Sequence, residues 1–148
     1  MNPILHRRRL LGTIASLAAI AALPVARACE FDADTLTVTH PWTRVTAADA
    51  PFAVVCMKFG NVMRHDRLIG VVTPVAAGAE LGGPDGVRPL AFDLLPGHAA
   101  ELAENGVHLR LIGLRQPLEL GRAYPMKLVF EHGGTVNAQL NVDFPAAG

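Results

Sequence analysis

The sequence predicts an all-β domain, a cupredoxin-like antiparallel β-sandwich or barrel in outline, with about seven to nine strands. Three observations carry that prediction. From Thr35 onward apolar and polar residues alternate at a period of two, the mark of half-buried strands. Gly and Pro punctuate the intervals between these runs, as turn residues do. Beyond residue 28 no stretch keeps the 3.6-residue spacing of a long amphipathic helix.

The first 28 residues stand apart. "HRRRLLG" gives a positive start, "TIASLAAIAALPV" an apolar run broken by Pro24, and "ARA" a small-residue cleavage box. This pattern predicts a secretory signal peptide over 1–28 and one domain over 29–148, located in the periplasm. The apolar run is short of the ~20 residues that a spanning helix needs. Arg7, Arg8, Leu10 and Leu11 also fit a twin-arginine signal loosely, so both export routes stay open.

The leader holds Arg7, Arg8, Arg9 and Arg27 and no acid. Of thirteen basic and thirteen acidic residues, nine and thirteen therefore remain, a net charge of −4. Nothing in that balance points to nucleic acid. Ser16 is the last serine, and Lys58 and Lys127 are the lysines, which leaves little for nucleophilic catalysis and predicts a protein that is not an enzyme. A chain of 148 residues, 51% hydrophobic, can bury one core and not two.

Early strands are expected at "TLTVTH", "FAVVCMKFG" and "RLIGVVTP". Trp42 in "HPW" reads as a core anchor, with His40 a rigid strand-end residue. Met57 and Met126 fall on inward faces. "AAGAELGGPDGVRPL" reads as the most glycine-rich loop, and "AELAENGVHLRL" as a hairpin about Asn105 and Gly106. "MKLVFE" and "TVNAQLNVDF" form a second hairpin through "HGGT". Its inward faces are Met126, Leu128 and Phe130 on one arm and Val136, Ala138, Leu140, Val142 and Phe144 on the other. His98 and His132 border turns and are expected to be exposed. Cys29 and Cys56, in an oxidising compartment, predict a disulfide; lipidation of Cys29 is the alternative, opposed by Arg27.

The fragments "HPWTR", "DRLIGVVTPVA", "LPG", "HLRLIGLRQPLELG" and "LVFEHGGTV", in this order, resemble the periplasmic copper chaperones of the PCu(A)C type. The resemblance spans nearly all of the chain after the leader. It implies a cupredoxin-like β-sandwich that binds Cu(I) and delivers it to the copper sites of cytochrome oxidase, with oxidase assembly proteins as partners. The family's ligands are a His, a Met roughly ten residues on, and a His-x-Met roughly twenty further, a soft donor set suited to Cu(I).

Carried over residue by residue, the set is degenerate. Gly82 stands where the first His belongs, and "GGPDGVRPLAFDL" holds no Met. His108 is the second His, and Arg110 replaces the final Met. One ligand of four remains. Met63 and His65, two apart like a reversed His-x-Met, are candidate substitutes, or else a polar loop. The predicted metal residues are therefore His108, Met63 and His65, holding Cu(I) weakly. The alternative is a metal-free interaction module on the same scaffold that assists oxidase assembly.

Overall fold

A computed structural model describes residues 29–144; the expected signal peptide lies outside the described residues. Eleven strands in chain order run from β1 (Glu30–Asp32), β2 (Thr37–Thr43), β3 (Phe52–Gly60) and β4 (Asp66–Val72) to β5 (Ala76–Gly82) and β6 (Arg88–Pro89). They continue through β7 (Phe92–Leu94), β8 (Ala100–Leu102) and β9 (His108–Leu114) to β10 (Ala123–Phe130) and β11 (Gly134–Val142). The described residues contain no helix. One curled sheet has the order β6-β5-β9-β3-β2-β11-β10-β4-β7, with β1 on β2 and β8 on β3. Every pairing is antiparallel except β11 with β2, so the expected antiparallel sandwich is a mixed half-barrel. The short β6 and β7, joined through Leu90 and Ala91, occupy the two ends of the sheet path and draw the curl together.

Alternation places the core on the concave side. β10 and β11 pair Met126 with Ala138 and Leu128 with Val136, all buried with Leu140 and Val142. Phe59 sets its ring edge-on to Phe130, centroids 6.3 Å apart, a favourable geometry for aromatic rings. Phe144 departs from the prediction: it lies past the end of β11 and is 67% exposed.

Three other expectations need correction. The glycine-rich loop is in large part β5, paired with β9 at six positions. Its small residues let side chains of β9 lie close, as Ile112 does over Gly78. The Asn105–Gly106 hairpin does not form, because β8 and β9 both lie end to end along β3. Residues 103–107 make a closed excursion instead, with Ala103 N–H donating to Val107 O. Trp42 is only half-buried and lies outside the buried core.

The expected disulfide is likewise absent, and both cysteines are free. β1 and β3 lie on opposite edges of β2. Cys29 and Cys56 are thus separated by two interstrand spacings of ~4.8 Å, beyond the ~7 Å Cα separation a disulfide tolerates.

Candidate metal-binding face

The Asp66 carboxylate, fully buried, fixes the end of the barrel where β4 begins. It accepts hydrogen bonds from Thr35 Oγ1, Arg67 N–H, His132 N–H and Gly133 N–H, each 2.8 Å. Burial alone would push its pKa up, but the donors outweigh it and hold the carboxyl below its usual range. A Cβ on Gly133 would come within 2.5 Å of Thr35 Oγ1 and 2.7 Å of Asp66 Oδ2, so only glycine fits there. The "DRL" and "HGG" motifs are two halves of one anchor.

His108 and Arg110 project together from β9 onto the convex face, as their spacing predicts. Across β5, His108 stands opposite Gly82 and Arg110 opposite Glu80. His108 Nδ1 lies 3.0 Å from Gly106 O. A carbonyl only accepts, so Nδ1 is the donor in this contact, and Nε2 is the ring nitrogen left to accept or to meet a metal. That Nε2 lies 2.6 Å from where a Cβ on Gly82 would stand, and Arg110 Cδ lies 2.7 Å from the same point. The space that a side chain at Gly82 would take is filled by His108 opposite it and by Arg110 diagonally across.

Arg110 is built into the face. Its guanidinium carbon sits 3.8 Å from the Phe52 ring centroid, a cation–π stack. Nε is 3.7 Å from Glu80 Oε1, an ion pair too long for a hydrogen bond, so that buried nitrogen has a charge partner and no hydrogen-bond partner. Beside it the excursion 103–107 sets Glu104 against Arg44, with Nε to Oε1 at 2.5 Å and Nη2 to Oε2 at 2.9 Å. The Arg44 hydrogen bonds hold Glu104 below the usual carboxylate range. Under this loop, burial pushes the Cys56 thiol up to about 11, with Glu104 adding to the effect, so at neutral pH it stays protonated.

Met63 and His65 belong to another part of the molecule. Met63 is 78% exposed, its N–H donating to Thr35 O. His65 Nε2 lies 3.4 Å from Asp93 Oδ1, a carboxylate that Arg67 also holds at 2.8 Å. This edge, β4 with β7, is separated from β9 along the sheet by β3, β2, β11 and β10. The two substitutes are near each other in sequence and are not gathered with His108. Among the described residues no three His, Cys, Asp or Glu side chains converge on one point. Exposed His98 and His132 occupy turns, as expected.

Sequence reasoning missed Glu80 and Phe52. Alternation along "FAVVCMKFG" would have set Phe52 outward with Val54, but only the register of β3 with β9 shows that it meets Arg110.

The family described as "Putative lipoprotein LpqE-like" matches residues 36–142. Among solved structures, the copper-bound PCuAC domain from PmoF2 is 28% identical, with a TM-score of 0.72 over 78% of this chain and 98% of that one. The apo PCuAC domain from PmoF1 is also 28% identical, with a TM-score of 0.71 over 78% and 99%. The Cu(I) form of DR1885 from Deinococcus radiodurans, 23% identical, shares the fold with a TM-score of 0.59 over 74% and 80%. No curated protein matches the chain.

Proposed function

We propose that this chain, which belongs to the LpqE-like family and carries the fold of the PCuAC copper-chaperone domains, is an exported copper-chaperone-like protein with a degenerate site. Copper is cargo here, and His108 is the donor retained for it. The observation that carries this reading is the contact of His108 Nδ1 with Gly106 O, which leaves Nε2 as the ring nitrogen able to meet a metal. Imidazole nitrogen suits Cu(I). A monovalent cation brought within ~4 Å of the Arg110 guanidinium meets a repulsion of up to about 4 kcal/mol at an effective dielectric near 20, roughly three decades in affinity. Binding through His108 is therefore weak, with Met63 and His65 as a separate candidate for any remainder. Delivery to the copper sites of cytochrome oxidase, with its assembly proteins as partners, is the role proposed for the bound ion.

A second reading has its own observation. Arg110 stacks on Phe52 and fills the space over Gly82, which is the arrangement expected of a metal-free module that assists oxidase assembly through its surface. Anaerobic Cu(I) titration against a chromophoric chelator separates the two. In a Cys29→Ser background, where that thiol cannot compete, binding that His108→Ala removes supports the chaperone; no binding at any accessible concentration supports the module. Export through cleavage after residue 28 rests on the leader and on the lipoprotein description of the family. Intact mass of the periplasmic form checks it, since a chain keeping residues 1–28 would contradict it.

A further inference from the structure

Cys29 and His40 take no part in the His108 face, and the fold brings both to one surface cleft. They continue the register that pairs Glu30 with Thr39, and His40 N–H donates to Cys29 O. Both side chains line one surface cleft of about 300 Å³, together with Arg122, Asn141 and Asp143. The cation on its wall, Arg122, is paired with Glu119 at 2.6 Å. His40 sits in the bulge of β2 between Thr39 and Trp42 and holds φ at 50°, a left-handed conformation that favours glycine. Bulges of this kind re-aim a side chain. Cys29 is a free, half-buried thiol open to that cleft.

We propose that Cys29 Sγ and the His40 imidazole form a two-donor site for a soft monovalent cation of the Cu(I) or Ag(I) class. Thiolate and imidazole are the donors such ions select. Binding breaks the S–H bond and forms an S–metal bond. The proton leaves to water, the imidazole gives a neutral lone pair, and no oxidation state changes. Two donors suffice for an ion that accepts linear coordination. The open sides of such an ion are where a receiving protein's donor attaches, so the site suits transfer rather than storage. His40 also lines the neighbouring cleft with Cys56, but that thiol is buried and holds its proton. From the copper-chaperone reading the site takes only the identity of the ion; its donors are independent of His108.

The test is an anaerobic titration of the periplasmic form with Ag(I) and with Cu(I) against a competing chelator. It compares the wild type with Cys29→Ser, His40→Gly, Cys56→Ser and His108→Ala. The first two are expected to weaken binding at least tenfold, and the last two to leave it within twofold. His40→Gly suits the left-handed backbone, so a loss there with an unchanged melting curve reports a lost donor rather than a lost fold. Wild-type affinity in Cys29→Ser overturns the site, as does lipid found on the Cys29 sulfur by intact mass. Binding abolished only by His108→Ala overturns it while upholding the face on β9. Binding abolished only by Cys29→Ser and His40→Gly upholds it and overturns His108 as the donor.

Discussion

The Asp66 anchor and the His108–Arg110 face are both polar devices on one barrel, and they are built in opposite ways. At Asp66 four donors converge on one buried carboxylate. At Arg110 a cation lies over an aromatic ring, paired at a distance with Glu80, with a buried nitrogen that makes no hydrogen bond. The first is an arrangement in which every atom has its place, where loss of one group strands several others. The second is a filled space, where one side chain can be exchanged with little consequence for the rest. The motifs that hold the barrel converge on Asp66, whereas the space over Gly82 is taken up by His108 and Arg110.

The sharpest way to break that contrast is at the anchor. Asp66→Ala strands Thr35 Oγ1 and three backbone N–H groups and is expected to cost about 3–4 kcal/mol of stability, measured by denaturant unfolding. Because the folded-state pKa of Asp66 is depressed, its contribution is fully present above the unfolded pKa of ~3.9. It is lost as pH falls through the folded value. Acid should therefore destabilise the wild type over that range and Asp66→Ala much less.

A smaller effect is expected on the metal face. Gly82→His places a Cβ against His108 Nε2 and Arg110 Cδ and should cost about 1–2 kcal/mol as overpacking. Combining it with Arg110→Met should recover part of that loss, a coupling of about 1 kcal/mol in a double-mutant cycle. Additive stabilities would mean that Arg110 does not occupy the space over Gly82. The smallest effect belongs to the exposed pair of Arg44 and Glu104, where Glu104→Gln should change stability by no more than about 0.5 kcal/mol. A count of thiols in the denatured protein, purified from its native host without reductant, should find two, since β2 separates Cys29 from Cys56; none would mean that the strands part to join them.

The sequence made the β10–β11 hairpin legible because alternation and "HGGT" point to the same pairing. It misled at Asn105–Gly106, where turn chemistry is local but the long edge of β3 accepts both arms in line. It misled at Ala76–Gly82, where glycine reads as loop yet serves as clearance for Ile112, His108 and Arg110. The disulfide followed from compartment and number, which carry no information about the strand lying between the two thiols. At the site, His108, Arg110 and the vacancy at Gly82 could be read from the motif. The stack on Phe52 could not, because it depends on register between strands more than fifty residues apart.

The account stands most directly on Arg110. Arg110→Met removes a cation and supplies a thioether beside His108, so the charge and the donor softness change in the same direction. The loss of the Phe52 stack should cost no more than about 1 kcal/mol of stability. Anaerobic Cu(I) titration of Arg110→Met in a Cys29→Ser background, where the thiol cannot compete, is predicted to show at least tenfold tighter binding than Cys29→Ser alone, about 1.4 kcal/mol. A folded variant with no gain in affinity would contradict the claim that Arg110 is what closes this face to copper.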